Sequence, residues 1–255
     1  MIEQENELKS LLTEQPFEGI ENTDLLLAQT RARAKGFALA TEGIAVVSDF
    51  KNNECHIYAG RFGQTTMNLP QYTIDHNTAF ENSIFSQTDE NELIERHVLE
   101  LRFFNFIKEL PVKEKACFSA SCILSFYKKE SNERVKMLHT TRYFGYSSDG
   151  SILLGLCTYI PYPVSYDRQD GIIFNVLTGE VVGREKYEAS DRKILSQRQL
   201  EVLSLIAKGV SSKQIADNLN ISVHTVNRHR QDILATLKVA NTASAVEIAL
   251  RMNII

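Results

Sequence analysis

A chain of 255 residues is long for one domain and comfortable for two, and its 43% hydrophobic content can supply a core for each. The formal net charge of −4 is unevenly spread: residues 190–255 carry nine Lys or Arg against five Asp or Glu, and residues 1–189 carry nineteen against twenty-seven. An acidic front, about −8, argues against its joining a cationic tail, about +4, in binding a polyanion.

No run approaches the roughly 20 apolar residues needed to span a bilayer, so no membrane partner is expected. Met1-Ile-Glu-Gln-Glu5 is acidic where a secretion signal would be basic, and the expected location is cytoplasmic. Cys55, Cys117, Cys122 and Cys157 have no CxxC spacing and sit in apolar surroundings. They read as buried reduced thiols, with a thiol sensor as the minor alternative.

In chain order, residues 3–13 and 23–34 read as helices, with Leu8, Leu11 and Leu12, then Leu25, Leu26 and Ala28, as apolar contacts. Ile44–Val47 and Cys55–Ala59 are short apolar runs around a polar turn, two strands. Gly60-Arg-Phe-Gly63 reads as a turn rather than a phosphate loop. From Pro70 to Leu110 the pattern becomes helical, with Leu93, His97, Leu101, Phe104 and Ile107 recurring and Pro111 marking the exit. Phe118, Ala120, Cys122, Leu124 and Phe126 then alternate with Ser119, Ser121, Ile123 and Ser125, a sheet face packed on one side. After a polar loop at 128–133 come a strand from Val135 to Tyr146, a tight turn at 147–150 and a strand from Ser151 to Ile160. Two prolines interrupt strand structure in 159–165, and Gly171–Val182 reads as a last hairpin around Thr178-Gly179. The charged stretch 183–193 lacks periodicity and is the expected linker.

Two strands, a helical middle and three antiparallel strands make an α+β domain with helices on one face of the sheet. This order, with the run Ile84–Pro111 and its Leu-Arg-Phe-Phe104, resembles a PAS domain. Ser86-Gln-Thr-Asp89 stands where that family often has His-Pro-Asp-Asp, and no Asn-Cys-Arg-Phe flavin motif is present. For haem, His97 and His76 are the only candidate ligands, and His97 on an apolar face reads first as a core histidine. No cofactor is expected. The resemblance implies a sensory or dimerisation role for residues 1–182. A ligand pocket between sheet and helices would be lined by Phe104, Phe118, Cys122, Phe126 and Leu154, with a solid core of the same residues as the alternative.

Catalytic classes find no support. Walker, Gly-x-Ser-x-Gly and His-Glu-x-x-His motifs are absent, so the chain is not expected to be an enzyme. A phosphorylated receiver needs an acidic pair and a parallel alternation, and only Ser48-Asp49 is present. The Trp-rich pocket of acyl-homoserine-lactone receptors cannot be built with no Trp. No metal site is expected.

The last stretch, 194–255, reads as four helices. Ser196 can cap the first, with Leu200, Leu203 and Ile206 inward and Gly209 ending it. Ser211 or Ser212 opens a short second helix with Ile215, Ala216 and Leu219 inward, and Asn220-Ile221 turns the chain into a third that Ser222 caps. At about 100° per residue, Val226, His229, Ile233 and Leu237 share a buried stripe, while His224, Asn227, Arg228, Gln231 and Ala235 lie opposite. Asn, Arg and Gln carry the paired donors and acceptors that match purine edges in the major groove. Ala245, Ile248, Ala249 and Met252 form the stripe of a fourth helix. This is an all-α helix-turn-helix domain with its reading helix second in the motif.

Leu195-Ser-Gln-Arg-Gln-Leu-Glu-Val-Leu203, Gly209, Lys213-Gln-Ile-Ala216, Ile221-Ser222, Thr225-Val226, His229, Ile233 and Leu237-Lys-Val239 resemble the LuxR-type (GerE-type) DNA-binding domain. Gln199 and Gln214 stand where an acid is usual, and Asn227 where a basic residue is common. The resemblance implies that Asn227, Arg228 and Gln231 face bases, that Lys213 and Thr225 lie near phosphates, and that the fourth helix pairs two subunits. His224 joins the expected base readers, and Ser212 and Arg230 the backbone contacts, Arg230 having Glu201 as its alternative partner. The expected function is sequence-specific DNA-binding transcription regulation by a homodimer on double-stranded DNA, with RNA polymerase as a further candidate partner. The competing reading is a redox or ligand sensor with a bound cofactor whose C-terminal domain acts as a protein-interaction module.

Overall fold

The computed structural model describes residues 3–19, 22–128, 133–147, 149–162, 171–183, 186, 195–237, 239–251 and 254–255. They form two compact units, one built on Leu8–Val182 and the other on Gly183–Ile255, with which the first residues, up to Glu7, are grouped. Apart from Gly183 and Lys186, the expected linker lies outside the described residues, as do Lys238, Met252 and parts of the segments 128–133, 147–150 and 159–165.

The first unit is a seven-stranded antiparallel sheet with helices α1 (Glu3–Thr13) and α2 (Thr23–Thr41) ahead of it. Strands β1 (Ile44–Asp49) and β2 (Glu54–Ala59) lead to α3 (Arg61–Met67), β3 (Tyr72–Asp75), α4 (Asn82–Phe85), α5 (Glu90–Lys108) and α6 (Val112–Lys115). Then β4 (Phe118–Tyr127), β5 (Arg134–Tyr146), β6 (Ile152–Pro161) and β7 (Ile172–Asn175) complete the order β3-β2-β1-β6-β5-β4-β7. The expected strands and the last hairpin are present, the hairpin closing through Val182 N–H to Ile173 C=O with Gly179 at φ +74°. Asp89 caps α5, its Oδ1 accepting from the Asn91 and Glu92 amides.

The helices cover both faces, which corrects the expectation of one. Every residue of β1 is buried: Ile44 and Val46 pack into the core beneath α3 and α4, and Ala45 and Val47 pack against Ala34 and Ala38 of α2. Alternating side chains of a strand point to opposite faces, so a strand this apolar requires two covered faces.

Four local expectations also change. The turn at Gly60–Gly63 opens α3, whose internal Gly63 hides the helix from propensity but packs against Ile44. β3 falls inside the span read as helical, being a four-residue edge strand too short to show a period. α6 adds a turn of helix after Pro111. Finally, α2 runs on to Thr41 and presents Thr30, Ala34 and Ala38 inward, leaving Leu25 and Ala28 exposed in place of their expected contacts, as is Leu11 of α1.

The second unit holds α7 (Gln197–Ala207), α8 (Ser212–Leu219), α9 (Val223–Leu237) and α10 (Thr242–Arg251). Its core joins Leu195, Val202, Leu203, Ile215, Ala216, Val226, Ile233, Leu237, Ala245 and Ala249, with Leu200, Ile206 and Leu219 packed on it. Ile248 is buried as expected, and His229 is half-buried at the rim of its stripe.

Candidate nucleic-acid interface

The order of caps builds the motif. Ser196 Oγ accepts from the Gln199 amide while Gln199 Oε1 accepts from the Ser196 amide at 2.7 Å, and Ser211 and Gln214 repeat the arrangement on α8. Gln in place of an acid therefore keeps both capping boxes and forgoes only the charge that would face the helix dipole. Gly209 at φ +76° ends α7, with the Val210 N–H returning to the Leu205 carbonyl. Asn220 makes the central turn in the left-handed region, φ 52° and ψ 47°, and the Ile221 N–H bonds the Ala216 carbonyl. Ser222 Oγ then accepts from the Thr225 amide at 3.0 Å to begin α9.

On α9, Val226, Ile233 and Leu237 are buried in the core, and His224, Asn227, Arg228 and Gln231 are all exposed on the other side. The four expected base readers thus share one solvent-facing surface of the second helix of the motif. Lys213 is exposed in the first turn of α8. Thr225 is half-buried, and its hydroxyl shares a hydrogen with Ser222 at 2.8 Å.

Two arginines hold the helices together, and neither role was visible in the sequence. Arg230 Nη1 donates to Ser212 Oγ at 3.1 Å and Nη2 donates to Thr242 Oγ1 at 3.0 Å, tying α9 to the start of α8 and of α10. Arg198 Nη1 pairs with Glu201 at 2.7 Å while Nη2 donates to the Leu219 carbonyl at the end of α8. Glu201, the alternative partner considered for Arg230, is therefore taken by Arg198. The missed signal was a hydroxyl at both Ser212 and Thr242.

In the front unit Phe118, Cys122 and Phe126 share one face of β4, and Leu154 lies on the opposite face of the sheet. Phe126 and Cys122 pack on the face under α5, and Phe118 meets Phe106 edge-on at 5.1 Å. Phe104 is buried beneath Lys108, whose Nζ lies 5.1 Å from its ring centroid. Leu154 shares the α2 face with Leu156, two residues on, and pairs with Asp49, because it is an odd number of residues from Cys157.

What does converge under α5 is polar. Arg96 Nη1 faces Glu100 Oε2 at 2.5 Å and Nη2 lies 3.8 Å from Glu81 Oε1, all three residues being almost fully buried. Tyr159 Oη donates to Glu81 at 2.5 Å and Tyr143 Oη donates to Glu100 at 3.3 Å. His139 Nδ1 lies 3.7 Å from Cys122 Sγ, and its Nε2 lies 3.4 Å from Thr141 Oγ1. Burial opposes the Arg96 charge, but Glu100 and Glu81 outweigh it and hold its pKa well above the ordinary value. Burial pushes the Glu100 carboxyl up, and burial together with Arg96 holds His97 and His139 well below the usual histidine range. Burial also pushes the Cys122 thiol up to about 12. Glu81, His139 and Cys157 have donor atoms within 4.8 Å of one another, a set that suits a metal. The Arg96 guanidinium, 3.8 Å from Cys157 Sγ, already places a fixed positive charge beside that set. Charged residues in a helix that otherwise reads as apolar concealed this network in the sequence.

Among known proteins, residues 193–249 match the family of bacterial regulatory proteins, luxR family. The C-terminal domain is thus a LuxR-type (GerE) helix-turn-helix domain. The oxygen regulatory protein NreC of Staphylococcus aureus strain JH9 is 44% identical over 63 residues, which is 25% of this chain and 29% of NreC. The chain therefore spans less than a third of the length of that relative. A Vibrio cholerae VqmA dimer structure overlaps 86% of this chain and 87% of its own at 15% identity and a TM-score of 0.30. Escherichia coli SdiA overlaps 98% and 96% at 15% identity and a TM-score of 0.26. At such scores the overlap does not establish a shared architecture. Among the described residues no single helix is long and apolar enough to cross a membrane.

Proposed function

We propose that this protein is a transcription regulator that binds double-stranded DNA as a homodimer, reading the major groove with Asn227, Arg228, Gln231 and His224. The observation that carries the reading is the division of α9: Val226, Ile233 and Leu237 fix one side in the core, and the four polar side chains stand exposed on the other. Lys213 in the first turn of α8 would meet phosphate, together with Ser212, Thr225 and Arg230. The match of residues 193–249 to the luxR family falls on this part of the chain and supports the DNA-binding assignment, not a shared signal. Pairing through α10 would set two reading helices about one DNA turn, roughly 34 Å, apart on a two-fold site. RNA polymerase is a natural further partner for such a regulator.

For the front unit the reading is a PAS-like sensory or dimerisation domain in the cytoplasm. The sheet order β3-β2-β1-β6-β5-β4-β7, with helices α4 to α6 between β3 and β4, supports it, as does the Arg96–Glu81–Glu100 network, whose Arg96 Nε lacks a hydrogen-bond partner among the described residues. A buried ionic network costs several kcal/mol per ion to desolvate and suits a domain whose interior responds to its contents.

Selection of bound genomic fragments at fixed salt tests the assignment, using the full chain and an Arg228→Ala variant. Recovery of one two-fold sequence by the parent, and its loss with retained random-DNA affinity in the variant, is the expected result. Failure of the parent to bind DNA with any salt dependence overturns it in favour of a protein-interaction module.

A further inference from the structure

On the side of the sheet away from the Arg96 network, α2 and the β2–β3 edge enclose a groove of about 330 Å³ lined by Arg31, Lys35, Leu39, Tyr58, Gln71 and Tyr72, with Ala38 and Ala59 beside them. None of these lining residues is acidic. Arg31 is fixed in place: its Nε donates to Tyr58 Oη at 3.0 Å and its Nη2 to Tyr72 Oη at 2.9 Å. Its guanidinium lies 5.7 Å from the Tyr72 ring centroid. The Tyr72 hydroxyl lies 3.1 Å from His56 Nδ1, and the two rings stack at 10°. Burial, then Arg31 itself, lowers the His56 pKa and so favours the neutral imidazole, whose Nδ1 can accept from Tyr72 in the matching tautomer.

We propose that this groove is a binding site for a small organic anion, a phosphate or carboxylate carried on an apolar or aromatic body. The bonds to the two tyrosines use two of the five guanidinium donors and stop the side chain from sampling other rotamers, so the cost of ordering it is met before a ligand arrives. Lys35, exposed and one helical turn further along α2, adds a second cation to the same wall. Leu39, 55% exposed, and the Tyr72 ring, 40% exposed, give apolar surface next to that charge. A charge-bearing head with a non-polar body matches this juxtaposition; a bare inorganic ion would leave the apolar wall uncovered. The volume is at the lower end of the range for small-molecule sites. An occupant would bridge α2 to the sheet edge, within the front unit alone, so the proposal stands whether or not the chain binds DNA.

Isothermal titration of the full chain at low salt tests it with three probes: AMP, benzoate and inorganic phosphate. Saturable binding of AMP or benzoate at one per chain, with inorganic phosphate weaker, is expected, and comparison of the first two shows which head group is preferred. Lys35→Gln, on an exposed position, is expected to lower the affinity about tenfold, the size of one lost charge-assisted hydrogen bond, with an unchanged melting temperature of the free protein. No saturable heat with any probe, inorganic phosphate binding as tightly as both organic anions, or an affinity that Lys35→Gln leaves unchanged would each overturn the proposal.

Discussion

Arg230 Nη1 stands 3.1 Å from Ser212 Oγ, a guanidinium on α9 held against the hydroxyl that opens α8, with its Nη2 on Thr242 of α10. An arginine one position from an expected base reader is therefore part of the frame that orients the helix. Arg230→Ala is expected to destabilise the C-terminal domain by about 1–2 kcal/mol, two partly exposed hydrogen bonds to a charged donor being lost. Hydrogen exchange of the α8–α10 amides in the full chain measures this; protection equal to the parent's would show that Arg230 holds nothing together.

Arg228 and Lys213 should separate sequence reading from charge. Arg228→Ala is expected to lose about 1–3 kcal/mol on the preferred site and to relax base preference, without altering exchange protection. Lys213→Ala is expected to weaken all DNA alike and to flatten the slope of log affinity against log salt by about one. Titrations of specific and random duplexes across salt distinguish the two, and an equal loss on both duplexes for Arg228→Ala would remove it from the base readers.

The two halves were unequally legible. In the C-terminal domain, Ser196, Gly209, Ser211 and Ser222 mark helix ends, and a 3.6-residue period marks the inward faces, so local rules and tertiary packing agree. In the front unit, β4 to β6 alternate visibly, but β1 is apolar throughout and does not say how many faces are covered. β3 and α3 owe their form to neighbours, Gly63 against Ile44 and Tyr72 against Tyr58, which no local period encodes. The Arg96 network brings together α4, α5, β5 and β6, and such convergence is a property of topology.

Asn220 tests the turn. A residue with a Cβ costs about 1–2 kcal/mol in the left-handed region, less for Asn, whose side chain bonds locally. Asn220→Ala is expected to lower stability by about 1 kcal/mol, while Asn220→Gly is expected to be neutral or slightly stabilising. Denaturant midpoints of the C-terminal transition decide, and an alanine variant as stable as the glycine one would mean that the turn relaxes out of φ 52°.

The buried histidines set a pH dependence for the front unit. His97 is fully buried, neither ring nitrogen makes a hydrogen bond of normal geometry among the described residues although the Leu93 carbonyl is near, and Phe85 meets its ring edge-on at 5.3 Å. Burial, then Arg96, keeps His97 and His139 neutral in the fold, whereas in the unfolded chain both take up protons as pH falls through the ordinary histidine value. The unfolded state then binds more protons, so stability falls with pH below that value until the depressed folded pKa values are reached. Glu100 acts in the other sense: burial raises its pKa, and its contribution is present below the ordinary carboxylate value and lost as pH rises through the raised one. His97→Leu should remove one of the two histidine protons, reducing the acid-side slope by up to about 1.4 kcal/mol per pH unit. It should leave stability at pH above the histidine range equal or higher, because an unpartnered buried imidazole is costly. Chemical unfolding of the front unit followed by circular dichroism through this range measures both effects. A slope identical to the parent's would mean that His97 gains protons in the folded state.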